Sequence, residues 1–163
     1  MTLDQLNALD REAFVDQLGW IFEQSPWVAE RAWTRRPFAS LDALHSAMVD
    51  EVERAAHQEQ LALLCAHPDL GARAKLSAAS AGEQAGAGLN QLSPGDYGTL
   101  QSMNVAYRQK FGFPFLYAVK GNTWQDISVA LVVRMENDPE EEFPIALFEV
   151  FRIARFRLED VIE

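Results

Sequence analysis

The sequence predicts an all-α fold: a single-domain compact bundle of about seven to nine helices with one irregular aromatic loop. Three observations support this prediction. Apolar residues recur every three or four positions along most of the chain, which is the helical period. Serine, threonine and aspartate residues stand just before these segments, where they can cap helix N-termini. The chain has 163 residues, of which 48% are hydrophobic and 23% charged, as expected for one globular domain over residues 1–163.

Five helices are predicted before residue 67. The residues that can cap the first four are Thr2 (with Gln5 at capping-box spacing), Asp10, Ser25 (followed by Pro26 at the first helical position) and Ser40. The second helix is expected to carry Phe14, Leu18, Ile21 and Phe22. The fourth has the apolar spacing of a buried stripe between Leu41 and Val52. The fifth should stop before His67, because the residue preceding a proline is pushed out of helical geometry.

In the second half of the chain, the sequence predicts a segment of small residues followed by three longer helices. Residues 71–92 are rich in Ala, Gly and Ser, and we interpret them as a closely packed segment rather than a linker. Within them, Ser80 and Glu83 have capping-box spacing, and Leu89 can anchor a short helix. The longer helices are expected from Ser93-Pro94 to Phe111, closed by Gly112, from Thr123 to Asn137, and from Asp138-Pro139 to the C-terminus. Only residues 113–119, FPFLYAV, have strand-like composition.

Charge and cysteine content exclude several functions. Fourteen Lys and Arg against 24 Asp and Glu give a net charge of −10, which argues against binding to nucleic-acid phosphates. The single cysteine, Cys65, cannot form an internal disulfide, and the three histidines lack HExxH spacing, so no metal site is expected. Neither a secretory signal nor an apolar run of membrane-spanning length is visible. We therefore expect a cytoplasmic protein that binds neither nucleic acid nor membrane.

Two residues are candidates for acid–base chemistry. His67 follows an apolar helix and is restricted by Pro68, which suits a general acid or base because imidazole titrates near neutral pH. Glu83 lies in a stretch of small residues that leaves room for a ligand. Each also has a structural interpretation, which the spacing alone favours: His67 as a residue that ends a helix, and Glu83 as the partner of a Ser80 cap. His45 and His57 have polar neighbours and are expected to be solvated.

Two further regions are candidates for ligand binding. Arg152, Arg155 and Arg157 on the last helix form a local cluster that can bind an anion, with Arg155 and Arg157 at opposite margins of the buried stripe. The stripe itself is expected at Leu147, Phe151, Ala154, Leu158 and Ile162. Residues 111–116, called the aromatic loop below, can form the wall of a pocket or simply pack in the core. The sequence leaves both interpretations of the loop open.

Together, these blocks resemble one family over almost the whole chain: the 2-oxo-4-hydroxy-4-carboxy-5-ureidoimidazoline (OHCU) decarboxylases of uric acid degradation. The order and spacing of the blocks carry the resemblance. They are His67-Pro68-Asp69-Leu70; Ser80, Glu83 and Gln84 with Ala87-Gly88-Leu89; Asn104, Tyr107 and Lys110-Phe111-Gly112-Phe113-Pro114-Phe115; Arg134, Asn137 and Asp138; and Ile153, Arg157 and Leu158.

The resemblance implies an all-helical enzyme without a cofactor that converts OHCU to (S)-allantoin and CO2. His67 matches the family's catalytic histidine and Glu83 its active-site glutamate. The positions that match substrate contacts are Pro68, Ser80, Gln84, Arg157 and the aromatic loop of Phe111, Gly112, Phe113, Pro114, Phe115 and Leu116. Family members are often dimers, so a homodimer is a candidate assembly.

The competing hypothesis is a helical interaction module without catalytic activity. His67-Pro68-Asp69 is also the signature tripeptide of J-domain co-chaperones, in which a basic helix precedes it. Here the preceding segment, DEVERAAHQEQLALLCA, is acidic. The resemblance to J-domains is therefore limited to three residues. An inactive homologue of the decarboxylases is the other form of this hypothesis.

Overall fold

The computed structural model of the chain describes residues 1–73 and 76–163. Within these ranges there are nine α-helices, two short 3-10 helices and no β-strand, which confirms the predicted all-α class. The chain divides into two compact units, one of residues 1–66 and 151–163 and the other of residues 67–150. Among the described residues, no helix combines the length and apolarity needed to cross a membrane.

The first unit holds the N-terminal helices and the end of the last one. They are α1 (Leu3–Asn7), α2 (Arg11–Leu18), α3 (Trp27–Ala32) with a 3-10 turn at Trp33–Arg35, α4 (Leu41–Glu53), α5 (His57–Ala66) and residues 151–161 of α9. The predicted caps at Thr2, Asp10 and Ser40 are confirmed, since each side chain accepts a backbone N–H of the first turn. Helix α3 packs on both α2 and α4. The core includes the fully buried Leu6, Phe14, Leu18, Leu44 and Met48.

Two predictions about helix ends in this unit are wrong. Ser25 does not cap α3, because its Oγ donates to the carbonyl of Glu23 at 2.9 Å and the helix begins without a side-chain cap. Helix α2 ends at Leu18 rather than near Phe22, since Gly19 has weak helix propensity. Ile21 and Phe22 are still 1% exposed each. The apolar pattern therefore correctly predicted that Ile21 and Phe22 are buried, although they lie in an irregular segment rather than in a helix.

The second unit holds α6 (Ala78–Gly86), a 3-10 turn at Leu89–Gln91, α7 (Pro94–Phe111), α8 (Trp124–Met135) and residues 139–150 of α9 (Pro139–Val161). The predicted start and end of α7 are confirmed: Ser93 accepts the N–H of Asp96, and Gly112 has a φ of 82°. That positive φ is the left-handed conformation which favours glycine after a helix. Helix α8 begins with a capping box between Thr123 and Asp126, and it packs on α7.

Residues 113–119 do not form a strand, despite their composition. They run between α7 and α8 without regular secondary structure. Phe113, Phe115, Leu116, Ala118 and Val119 are each at most 5% exposed. The aromatic and β-branched composition of this segment is thus explained by burial of its side chains rather than by pairing with a second strand.

Candidate functional site

His67 lies directly beyond the end of α5. The helix stops at Ala66 and Pro68 follows the histidine, as the restriction on residues before proline predicts. The side chain of His67 is 5% exposed. An imidazole in a protected position with a fixed backbone suits proton transfer to a bound molecule, provided that its surroundings hold it in place.

The backbone after His67 forms a tight turn over residues 69–72. The N–H of Ala72 donates to the carbonyl of Asp69 at 3.2 Å. Gly71 has a φ of 75°, and a Cβ at this position would lie 2.6 Å from Cδ2 of Leu100. The positive φ favours glycine, and any larger residue would also displace the side chain of Leu100. The turn is therefore defined by its sequence and by its contact with α7.

Three side chains of α6 and α7 hold this turn. They are Gln84, whose Oε1 accepts the N–H of Gly71 at 2.7 Å; Asn104, whose Nδ2 donates to the carbonyl of Leu70 at 2.9 Å; and Arg108, which pairs with Asp69 at 2.8 Å. The first two bonds are buried, where an unsatisfied backbone group is costly. The segment that carries His67 is thus anchored to the helices on which other predicted site residues lie.

Ser80, Glu83 and Gln84 lie on one face of α6, at positions i, i+3 and i+4. Ser80 is 4% and Gln84 6% exposed, whereas Glu83 is partly exposed. The face therefore combines two buried polar side chains with a partly exposed carboxylate.

The prediction that Ser80 caps α6 is wrong. The helix begins one turn earlier, and the side chain of Ser77 accepts the N–H of Ser80. Glu83 consequently lies inside the helix rather than at the third position after the cap. This excludes the interpretation of Glu83 as the partner of a Ser80 cap. Ser77 and Ser80 are both serines that could cap α6. The sequence pattern alone does not distinguish these two possible starts of the helix.

In the first unit, Arg157 is buried rather than at the margin of the apolar stripe. It is 2% exposed, and its Nη2 lies 2.9 Å from Oε2 of Glu23, which is also 2% exposed. Nη1 donates to the carbonyls of Trp20 and Ile21 at 3.3 and 3.2 Å. The guanidinium is therefore held in a fixed orientation by a carboxylate and two backbone oxygens, a geometry that its planar fork allows.

The arginines of the predicted cluster on α9 do not share partners or a common environment. Arg155 forms surface ion pairs with Asp42 and with Glu159, and hydrogen bonding, first to Glu159 and then to Asp42, raises the pKa of its guanidinium. His45 was expected to be solvated, but its Nε2 is 2.8 Å from the carbonyl of Phe151. Arg157 thus differs from Arg155 in burial and in partners.

The side chains of the aromatic loop pack in the core of the second unit. Phe111, Phe113, Pro114, Phe115 and Leu116 are buried, and Gly112 is exposed. The rings of Phe111, Phe113 and Phe115 lie 4.5, 6.0 and 5.3 Å from the ring of Tyr107, centroid to centroid. This supports the core-packing interpretation for the side chains. Gly112 is the exposed residue of the loop.

A cleft of about 750 Å³ lies between residues 69–73 and the outer face of α7. Tyr97, whose ring lies 3.9 Å below the guanidinium of Arg73, forms part of its wall. Of the predicted site residues that the structure describes, none lines this cleft. No group of three His, Cys, Asp or Glu side chains in the described ranges is placed to hold a metal ion.

Glu23, Asn104 and Arg108 hold Arg157 or the turn after His67, and none of them is a predicted site residue. Asn104 appeared only as part of a motif, and Glu23 stands within the apolar run WIFEQSPW. An acid within such a run is a signal of a buried carboxylate that needs a partner. Its arginine is 134 residues away, so no local pattern indicates the pair.

Comparison with known proteins gives matches over nearly the full chain. The family model of OHCU decarboxylase matches residues 7–159. A 2-oxo-4-hydroxy-4-carboxy-5-ureidoimidazoline decarboxylase of Haloferax volcanii is 50% identical over 158 residues, 97% of this chain and 94% of the relative. One of Halalkalicoccus jeotgali is 47% identical over 161 residues, 99% of this chain and 92% of the relative.

A solved structure is similar in fold as well as in sequence. It is the crystal structure of an OHCU decarboxylase in the presence of (S)-allantoin, with a TM-score of 0.72 and 27% sequence identity. The superposition covers 93% of this chain and 97% of that one. The match extends far beyond the tripeptide that this chain shares with J-domains.

Proposed function

The chain belongs to the OHCU decarboxylase family, and we propose that His67 and Glu83 form the acid–base pair of its reaction. The protein is a carboxy-lyase of uric acid degradation that acts on OHCU and yields (S)-allantoin and CO2. The observation that supports the assignment of His67 is its buried position beside a turn fixed by Gln84 and Asn104.

The substrate supplies the electron sink for its own decarboxylation. The carboxylate is attached to a ring carbon that bears a hydroxyl, and the neighbouring ring carbon is part of a C=N bond. When the bond to the carboxylate breaks and CO2 leaves, its electron pair forms a C=C bond between the two carbons. The C=N electrons move to nitrogen, which takes up the one net proton that the reaction consumes from solvent.

The resulting enol must then be converted to the product. Its hydroxyl loses a proton and becomes the carbonyl of allantoin, while the carbon that bears the ureido group gains a proton. Delivery of this proton to one face sets the S configuration. One base and one acid are needed, and His67 and Glu83 are the pair that we assign to these transfers. Their placement around one substrate would replace two encounters in solution by steps within a complex.

The remaining predicted residues are proposed to bind and orient the substrate. Ser80 and Gln84 share the face of α6 that carries Glu83, which supports their assignment together with Pro68 beside His67. The backbone of the aromatic loop, residues 111–116, is proposed to contact the ring system. Arg157 is proposed to anchor the anionic or ureido group. The match of its position to the family and the fixed orientation of its guanidinium support this role.

We also propose that residues 1–163 act as one decarboxylase domain, in the cytoplasm, with a homodimer as the candidate assembly. The family match over residues 7–159 supports the single functional domain. The lone cysteine, which cannot form an internal disulfide, fits a reducing compartment. Val129, Val132 and Val133 of α8 are 63, 56 and 60% exposed, and an apolar face of this kind suits contact with a second copy.

The acid–base assignment is tested by replacing His67 with asparagine. We expect kcat to fall by about 10²–10⁴-fold, because a general acid–base group contributes about that much. OHCU should be generated in situ by urate oxidase and hydroxyisourate hydrolase, and allantoin followed by circular dichroism. Spontaneous decay gives racemic allantoin, so excess of the S form reports enzymatic turnover.

The matched control is His57→Asn, which replaces an exposed histidine at the start of α5. This variant should retain the kcat and stereospecificity of the wild type. If His67→Asn also retained both, the assignment of His67 would be wrong. Glu83→Gln provides the corresponding test for the carboxylate, with the same readout.

A further inference from the structure

The aromatic loop is held from the inside by one tyrosine. Tyr107 of α7 is fully buried, and the rings of Phe111, Phe113 and Phe115 surround it at distances that allow favourable aromatic contacts. These contacts fix the side chains of the loop. They do not by themselves fix the peptide groups, which are the part of the loop proposed to contact the substrate.

Arg134 at the end of α8 fixes a peptide group of the loop directly. Its Nη1 donates to the carbonyl of Leu116. Its guanidinium carbon also lies 4.5 Å from the centroid of the Phe115 ring, close enough for a cation–π contact. One guanidinium therefore holds a side chain and a backbone carbonyl at adjacent positions of the aromatic loop.

The guanidinium of Arg134 is in turn oriented by Glu142 of α9. Nε of Arg134 donates to Oε1 of Glu142 at 2.6 Å, and Nη2 lies 2.5 Å from the same oxygen. Arg134 is 7% and Glu142 0% exposed. All three nitrogens of the guanidinium thus have defined partners, since Nη2 also donates to the hydroxyl of Tyr107 at 3.3 Å.

Two further groups hold the carboxylate of Glu142. The hydroxyl of Tyr107 donates to Oε1 at 2.5 Å, and Nδ2 of Asn137 donates to Oε2 at 2.9 Å. Burial, and then the hydrogen bond to Glu142, raise the pKa of Tyr107, so the phenol stays protonated and remains a donor. The result is a buried network from α7, α8 and α9 that ends at the carbonyl of Leu116.

We infer that Arg134 is a positioning residue for substrate binding, which acts through the backbone of the aromatic loop. This inference rests on the proposed role of the loop in contacting the substrate ring. A preformed loop binds without first being ordered, so a loss of the guanidinium should weaken binding of the substrate. The loss of the guanidinium should have little effect on the proton transfers at His67 and Glu83.

Arg134→Lys is the first test. Lysine keeps a positive charge beside Glu142, but its single ammonium cannot reproduce the planar fork that also reaches Leu116 and covers Phe115. We expect KM for OHCU to rise by about tenfold, which corresponds to the loss of one good interaction. The kcat value should change by less than about threefold, because the acid–base groups are unchanged.

A second variant covers the case in which Arg134→Lys does not fold. Arg134→Met combined with Glu142→Leu removes both charges, and such replacement of a buried pair is often tolerated. It also removes the bond to the Leu116 carbonyl, so KM should rise as in the lysine variant.

The matched control is Leu131→Ala, which creates a cavity on the same helix at a fully buried position. Its KM and kcat should equal those of the wild type well below its melting temperature.

The result that overturns the inference is a KM within about twofold of the wild type in whichever of these two variants folds. An equal rise of KM in Leu131→Ala would also overturn it, because the effect would then follow from lower stability alone. A wild type that gave racemic allantoin at the uncatalysed rate would instead contradict the proposed function. Failure of the inference and failure of the function are thereby distinguishable.

Discussion

Arg134 and Arg157 form the same kind of buried ion pair, one in each unit, but they join very different parts of the chain. Both arginines and both glutamates are at most 7% exposed. Arg134 and Glu142 are eight residues apart, on consecutive helices. Arg157 and Glu23 are 134 residues apart, and Glu23 lies in the irregular segment after α2.

The local pair can form as soon as α8 and α9 do, whereas the distant pair needs the fold of the first unit. Closing a longer loop costs more conformational entropy, although the cost grows slowly with length. The carboxylate of Glu142 also accepts bonds from Tyr107 and Asn137. Arg157 instead donates to the carbonyls of Trp20 and Ile21 at 3.2–3.3 Å. Arg134 therefore holds the aromatic loop, whereas the contacts of Arg157 are with the segment after α2.

The largest expected effect is that of Arg157→Met, which leaves Glu23 as a buried charge without its arginine. Breaking a buried pair in this way typically costs about 3–5 kcal/mol in the free energy of unfolding. Adding Glu23→Leu removes the second charge and should restore most of that stability. Turnover should remain lost in the double variant, because the proposed substrate anchor is absent. Urea denaturation and kcat/KM for OHCU measure the two effects separately.

The corresponding double variant of the other pair, Arg134→Met with Glu142→Leu, is the control for this test. It should keep kcat close to the wild-type value while KM rises. If Glu23→Leu with Arg157→Met instead regained wild-type kcat/KM, Arg157 would have only a structural role. The proposed contact of Arg157 with substrate would then be wrong.

Tyr107→Phe tests which part of the network holds the aromatic loop. The change removes the hydroxyl that donates to Glu142 and accepts from Arg134, and loss of a hydrogen bond to a charged group costs about 1.5–3 kcal/mol. The ring stays against Phe111, Phe113 and Phe115. We therefore expect a lower free energy of unfolding in urea denaturation, with unchanged KM and kcat.

The control for Tyr107→Phe is Arg134→Lys, which keeps the phenol but loses the guanidinium. If Tyr107→Phe raised KM as much as Arg134→Lys, the phenol rather than the guanidinium would position the loop. The role of Arg134 would then not differ from that of the other members of its network.

The helices were predictable because their information is local. Thr2, Asp10, Ser40, Ser93 and Thr123 each accept a backbone N–H within the next turn, so a short stretch of sequence determines the cap. Prediction failed where two local solutions compete. Ser77 and Ser80 can both start α6, and Ser25 precedes a proline but donates its hydroxyl instead. The choice depends on packing that short-range patterns do not contain.

The candidate site was predictable only in part. Spacing identified His67 and Glu83 as candidates, and the resemblance assigned them roles. The partners that fix the site were not predictable from local patterns, because they come from distant segments. Asn104 is 34 residues from Leu70, and Glu23 is 134 residues from Arg157. Buried polar groups must be satisfied, but the sequence alone does not say by which partner.

The smallest expected effect is that of Asp126→Asn, an exposed acid on the same helix as Arg134. The Asp126 carboxylate accepts the backbone N–H and the hydroxyl of Thr123 at 2.8 and 2.9 Å. These bonds, the backbone bond first, lower its pKa. A carboxyl whose pKa is lower in the folded state stabilises the protein above the unfolded-state pKa. This contribution is lost as the pH falls through the folded-state pKa.

We therefore expect Asp126→Asn to lower the melting temperature slightly at neutral pH, and less than Tyr107→Phe does, because water screens an exposed charge. The difference from the wild type should disappear in acid, below the lowered pKa. Asp96→Asn is the matched control, since Asp96 holds the same position in α7, where its N–H donates to the side chain of Ser93. Thermal melts between acid and neutral pH give the comparison. A loss as large as that of Tyr107→Phe would mean that charge at a helix N-terminus, and not burial, determines the size of these effects.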